Sequence, residues 1–316
     1  MKVLGYFILC VLFVGRSVSS TRVSAKMCMD YGRSPHSRQC HHKYSPLLGY
    51  IPAGEREFPH TALLGVEKNT THHWRIEWFC TGVLISHDYV LGLAECGFSF
   101  HVHELTHVRL GDFNYGSNKE AHKPLNVKVS EVIVHPKYMK KSLYNNLALI
   151  HLDQSLEFTL NIRPACLPQM FDVAGETVSM TGWPFKLYSV PKSMRNKQDM
   201  TLRKYNMKPI DFEECQKLFA PHAIKGMSQS ISDTQMCASI IMEDEQKFFK
   251  IPRPLEVLDG APLQEIQNNE HCMYTVHGLS TFKPTFGLLK MPLVFIRIYP
   301  YLSWIEQTVW PEHLTL

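Results

Sequence analysis

The sequence is poor in the features that most directly announce a function. It has no low-complexity tract and no block of like charge: 33 Lys and Arg stand against 29 Asp and Glu, a formal net charge of +4. An excess that small and that dispersed gives no electrostatic case for nucleic acid as a partner. Charged residues make up 20% and hydrophobic residues 45%, which excludes intrinsic disorder. After residue 20 no segment is long and apolar enough for a spanning helix, so no membrane anchor is expected. No two cysteines are spaced C-x-x-C, which argues against a zinc ribbon. Helical periodicity is scarce as well.

What is present begins at the N-terminus. Lys2, the apolar run Val3 to Val14 and the small residues Val18, Ser19 and Ser20 read as a signal peptide over 1–20, cut before Thr21. The chain is therefore expected to be secreted and extracellular. Cys10 leaves with that segment, and the eight cysteines that remain favour disulfides over thiol chemistry in an oxidising compartment. The sequon Asn69-Thr70-Thr71 makes Asn69 a candidate glycosylation site on an exposed loop.

Residues 21–46 are polar, with Gly32, Pro35, Pro46, Cys28, Cys40 and His41-His42, and read as a short irregular leader. Beyond it come short β-like runs: Thr61 to Val66, Phe79 to Ile85, Tyr89 to Leu93, His107 to Leu110, Val127 to Val134 and Ala148 to Leu152. The second half continues with Thr177 to Thr181, Thr201 to Met207, Tyr274 to Leu279 and Val294 to Ile298. The one good helix candidate is Tyr301 to Trp310, where Leu302, Ile305 and Val309 share a face and Pro311 ends the run. So many short strands predict an all-β sandwich or pair of barrels.

Particular segments then become informative. Phe58-Pro59-His60-Thr61-Ala62-Leu63-Leu64-Gly65, Cys80-Thr81-Gly82-Val83-Leu84-Ile85-Ser86 and Leu91-Gly92-Leu93-Ala94-Glu95-Cys96 occur in order. They are followed by Arg109-Leu110-Gly111-Asp112-Phe113, Asn146-Leu147-Ala148-Leu149-Ile150, Arg163-Pro164-Ala165-Cys166-Leu167-Pro168, Thr181-Gly182-Trp183 and Gln235-Met236-Cys237-Ala238, then the terminal Trp304-Ile305. In sequence and spacing this series resembles trypsin-like serine proteases, in the form common among arthropod clip-type relatives. The resemblance implies an all-β fold of two six-stranded barrels with a closing C-terminal helix, spanning 47–316.

The same resemblance implies that the chemistry is lost. Active relatives use a Ser nucleophile, a His that takes its proton and an Asp that orients the His. The His position, just before the second Cys of the first disulfide, holds Glu95. The Asp position holds Asn146, whose amide carries no charge. The nucleophile loop reads Leu258-Asp259-Gly260-Ala261-Pro262-Leu263, with Asp259 at the nucleophile position or the Ser deleted. Val257 stands where a Gly would free a backbone N–H for the oxyanion. Loss of a whole triad costs active proteases on the order of 10⁶-fold in kcat. The expectation is a non-enzyme, with no cofactor and no metal.

Activation is affected too. The segment that would become a new N-terminus is Leu47-Leu48-Gly49-Tyr50, preceded by Tyr44-Ser45-Pro46 with no basic residue at the cut; Lys43 lies too far back. The resemblance further implies disulfides Cys80–Cys96 and Cys215–Cys237, with Cys166 tethering the leader through Cys28 or Cys40. Leu255 replaces one cysteine of the bridge that flanks the nucleophile loop, and Cys272 has no family partner. Two leader cysteines do not make a full clip domain. Ungapped counting puts Arg253 at the specificity position, behind the divergent stretch Glu243 to Lys250.

A rival motif is His103-Glu104-Leu105-Thr106-His107, which fits the zinc-hydrolase pattern H-E-x-x-H. That chemistry needs a helix. Here His101, His103, Leu105 and His107 alternate into a strand, where residues four apart lie about 13 Å from each other, too far for one ion. Loop histidines His36, His41, His42, His72 and His73 could bind metal at the surface, but such residues are ordinarily just solvated. The function that remains is binding. The resemblance implies a secreted serine protease homologue that acts as cofactor, decoy or regulator in an extracellular, immune or melanisation-like cascade, on proteases, zymogens or their substrates. A reproductive or adhesive binding role is the alternative.

Overall fold

Alternating and fully apolar short runs can bury themselves only by pairing, and in this chain they close into barrels. A computed structural model describes residues 21–35, 50–70, 73–97, 104–117, 122–184, 199–222, 224–228, 230–241, 257–268, 273–283 and 291–314. The first barrel is closed by β2 (Thr61–Thr70), β3 (His73–Leu84), β4 (Tyr89–Gly92), β7 (Ala148–Leu152), β6 (Leu125–Val134) and β5 (His107–Leu110), in that order. The second consists of β8 (Val178–Gly182), β9 (Arg203–Ile210), β10 (Gln235–Ile240), β13 (Leu293–Arg297), β12 (Met273–Phe282) and β11 (Pro262–Asn268), and β8 pairs back onto β9. All described pairs in both are antiparallel. A short β1 (Tyr50–Pro52) pairs with the start of β9, so the chain enters by way of the second barrel before building the first. The all-β double barrel with a closing helix is the architecture expected.

Three strands are not evident from local pattern: β1, β10 and β11. Each either carries polar residues whose burial is tertiary, as with Gln235 and Gln264 at 0% exposure, or is only three residues long. The expectation of a single helix also needs correction. Besides α4 (Leu302–Val309), which buries Leu302, Ile305 and Val309, there are α1 (Val23–Gly32), the single turn α2 (Ala94–Gly97) and α3 (Phe212–Phe219). For α3 the sequence does carry a signal: Asp211 before the first turn, Glu213 and Glu214 within it, Lys217 near the end. For α1 it does not.

The described part of the leader, expected to be irregular, is helical over Val23–Gly32 because of what it touches. No side chain caps α1. Instead Ser24 donates its backbone N–H (3.1 Å) and its hydroxyl (2.7 Å) to Glu306 of α4, and Trp310 Nε1 donates to the Tyr31 hydroxyl at 3.1 Å. The Tyr31 ring stands nearly perpendicular to those of His87 and Phe158, which stack on each other at 3.9 Å. Cys28 is bonded to Cys166, 138 residues away. In the chain-entropy model such a closure is worth about 5 kcal/mol. Cys80 is bonded to Cys96 and Cys215 to Cys237, while Cys40 and Cys272 lie outside the described residues.

Where the barrels meet, polar groups are stranded away from water and have to satisfy one another. His60, 1% exposed, donates from Nε2 to Gln264 Oε1 at 2.7 Å, and Gln264 Nε2 donates to Thr181 Oγ1 at 3.1 Å. Glu57 and Lys204 form an ion pair at 2.8 Å across the same seam, with Glu57 also accepting the Gly54 N–H at 2.7 Å. Burial, reinforced by the Arg163 charge, pushes the His60 imidazole down to about 4. Its folded value lies below its unfolded value of 6.5, so its stabilisation is complete above pH 6.5 and is lost as pH falls towards 4. The gap corresponds to about 3 kcal/mol. A His60→Gln variant should thus be less stable than the parent at pH 7.5, and the deficit should shrink by about that amount at pH 4, measured by urea unfolding at both values. A deficit independent of pH would show that His60 titrates normally.

Candidate active site

The three positions implied by the resemblance are brought to one place by three elements. Glu95 lies in α2, the turn that follows β4, and Cys96 beside it is bonded to Cys80 of β3. Asn146 immediately precedes the strand β7 and is fully buried, at 0% exposure. Its turn is held by Asn145, at a φ of +53°, whose side-chain oxygen accepts the Tyr301 hydroxyl at 3.0 Å. Asp259 lies in the turn before β11. Its carbonyl accepts the Thr81 N–H at 2.7 Å, and it bridges to Cys80 in parallel register. The next residue, Gly260, has φ +84°, and a Cβ there would come within 2.2 Å of the Thr81 carbonyl oxygen. Only glycine fits.

Glu95 and Asn146 are bonded reciprocally. Glu95 donates its backbone N–H to Asn146 Oδ1 at 2.9 Å, and Asn146 Nδ2 donates to Glu95 Oε1 at 2.8 Å. The amide therefore has both its donor and its acceptor engaged. Burial raises the Glu95 carboxyl to about 7, and the Asp259 charge adds to the rise, against the Asn146 hydrogen bond and Lys283. Asp259 itself is half-exposed and salt-bridged: Lys283, just past the end of β12, places Nζ 2.6 Å from Asp259 Oδ1 and 2.5 Å from the Val257 carbonyl oxygen. Lys283 is not among the site residues that the sequence suggests. It stands 24 residues from Asp259, so no local spacing points to it.

As chemistry, the arrangement is self-satisfied. The Asp259 carboxylate is neutralised by Lys283. Among the described residues no histidine is hydrogen-bonded to Asp259, and Glu95 is turned to Asn146. Amides of the loop are also spent inside the fold: Leu258 N–H on the Trp183 carbonyl, Gly260 N–H on the Ser280 carbonyl and Ala261 N–H on Ser280 Oγ, at 2.9, 2.9 and 3.0 Å.

The remaining expected positions fall elsewhere. Glu104 forms an isolated bridge, and His107 lies in β5, opposite Gly65 and Lys128, with Nδ1 2.9 Å from Thr106 Oγ1. The helix that zinc hydrolysis requires is thus not formed over 104–110. Asn69 is on β2, and the side chain of His73 is not described. His36, His41, His42, His72, His101, His103, Arg253, Leu255, the 243–250 stretch and the would-be cut at 46–47 lie outside the described residues.

Two barrels with the site at their junction define a chymotrypsin-type serine peptidase scaffold. The sequence model of the Trypsin family matches residues 48–247, and the chain belongs to that family. It is 25% identical to "Serine protease snk" of Drosophila melanogaster over 97% of this chain and 69% of that protein. It is 26% identical to "Phenoloxidase-activating factor 1" of Holotrichia diomphalia, over 81% of this chain and 67% of the other. With "Melanization protease 1" of Drosophila melanogaster it shares 28% identity over 83% of this chain and 65% of that one.

The Glu95 carboxyl yields a test of this geometry. Its folded value lies above its unfolded value of 4.5, so its contribution is complete below pH 4.5 and is lost as pH rises through 7. A Glu95→Gln variant keeps the bond to Asn146 and removes the part-buried charge. It should be more stable than the parent by about 2–3 kcal/mol at pH 8 and equal to it near pH 4.5. Denaturant titrations at the two pH values measure this, and an equal difference at both would place Glu95 in water.

Proposed function

We propose that this member of the trypsin family is a non-catalytic, secreted protein that works by binding. The observation that carries the reading is the site: Glu95, Asn146 and Asp259, which the resemblance aligns with the three catalytic positions, are each tied to a protein partner. Without a hydroxyl or imidazole, acyl transfer lacks both its nucleophile and its base. The scaffold still offers loops on rigid barrels, and such surfaces bind without cutting. Relatives named for phenoloxidase activation and melanisation support a place in an extracellular proteolytic cascade, as cofactor, decoy or regulator. Proteases, their zymogens or their substrates are the partners this reading calls for.

Purified protein should neither hydrolyse peptide substrates nor take up a serine-directed phosphonylating reagent. Glu95→His alone should stay silent, because the other two roles remain empty. Covalent labelling of any residue would overturn the reading. Co-precipitation from the animal's extracellular fluid should recover a protease, zymogen or protease substrate, and recovery of none would remove the cascade role.

The same reading treats 21–46 as a permanently attached leader after signal removal from 1–20. The Cys28–Cys166 bond and the Glu306 contacts support this, since cleavage in the segment between would leave two linked pieces. Electrophoresis of secreted protein should give one chain with and without reductant. A mature N-terminus at Leu47 with the leader lost would overturn it.

A further inference from the structure

The hairpin of β2 and β3 runs on past the barrel as a two-stranded ribbon, pairing Glu67 with Ile76, Lys68 with Arg75 and Asn69 with Trp74. Directly opposed residues in an antiparallel pair share a face, as do residues two apart. One face of the ribbon therefore carries Trp74, Ile76 and Trp78 in a row, opposite Asn69, Glu67 and Gly65. At the barrel end the row is covered. The Arg109 guanidinium lies over Trp78 at 4.7 Å, and the missing Cβ of Gly65 makes room for the indole, which would otherwise be 2.5 Å away. At the outer end Trp74 is 66% exposed, the most exposed tryptophan among the described residues. The residue facing it is Asn69, exposed, and the first residue of the chain's one Asn-x-Ser/Thr triplet.

We infer that Asn69 carries an N-linked glycan whose first sugar lies against the indole of Trp74. The inference rests on the secretory part of the reading above, not on loss of catalysis. Transfer from a lipid-linked pyrophosphate donor breaks the anomeric C1–O bond, forms an Nδ2–C1 bond and releases the amide proton with the pyrophosphate. Opposed Cβ atoms lie about 5 Å apart, which sets the proximal sugar beside the ring across the ribbon. A pyranose presents C–H groups on one face, and these suit the electron-rich face of an indole while its hydroxyls remain in water. The sugar would cover the outer end of the apolar row as Arg109 covers the inner one.

The test uses full-length protein secreted from cultured insect cells. A peptide-N-glycosidase should lower the mass of the parent by one glycan and leave Asn69→Gln unchanged. Protein in the medium without sugar on Asn69 overturns the modification alone, whereas chain recovered from the cytosol overturns secretion with it. For the contact, acrylamide quenching of tryptophan emission should rise on complete deglycosylation, by the share of one tryptophan in five. Trimming the glycan to its first sugar should leave quenching low. In Trp74→Phe, which keeps the sequon, complete removal should change nothing. Quenching that is equal with and without the sugar overturns the stacking. Enzymatic removal from folded protein makes the result independent of whether Asn69→Gln folds.

Discussion

The seam between the two barrels is the constraint on which the remainder rests. Each barrel satisfies its backbone by closing, but pressing two of them together strands His60, Gln264, Thr181 and Glu57 where water cannot reach. A buried polar group without a partner costs more than a hydrogen bond gains. The chain His60–Gln264–Thr181 and the pair Glu57–Lys204 therefore fix how one barrel sits on the other. Because the three positions that the resemblance picks out are drawn from both barrels, that registration also decides that Glu95 and Asn146 on one side face Asp259 on the other.

The pH behaviour of the molecule follows from this packing. His60 is held neutral at the seam, and its stabilisation fades as pH falls from 6.5. Glu95 is held in a poorly hydrated turn, and its contribution fades as pH rises towards 7. The two slopes oppose each other over nearly the same window. The parent protein conceals both, and single substitutions expose them one at a time.

Much of the fold is legible in the sequence. Strands β5 and β7 can be read to the residue, because their apolar content is local and their ends carry turn residues. The closing helix is legible from Leu302, Ile305 and Val309 on one face. What escapes is whatever depends on distant contacts. Helix α1 has no cap and gains its order from Cys166, Glu306 and Trp310, none within 130 residues. Strands β10 and β11 bury Gln235 and Gln264, which look like surface residues in isolation. At the site, Glu95, Asn146 and Asp259 are picked out by the motifs around them, and the fold brings them together. No motif picks out Lys283, since only the fold brings the end of β12 to Val257 and Asp259.

Glu95, Asn146 and Asp259 are not equally free to vary. At Asp259 the fold uses the backbone: the carbonyl that holds Thr81, and the glycine that follows. Its side chain points outward to Lys283, so exchanging it disturbs little of the core. Asn146 is different. It is wholly buried, so whatever stands there must have its hydrogen bonds met, and Glu95 meets them. An aspartate at 146 would face the Glu95 carboxyl at hydrogen-bond distance, and two carboxylates that close cannot both ionise. A histidine at 95 would need a carboxylate at 146 to fix its tautomer and steady its charge, and the amide offers none. Neither position accepts the residue an active relative would carry there without breaking a satisfied pair. The Glu95–Asn146 pair thus makes a stable arrangement of its own, one that either single exchange would undo.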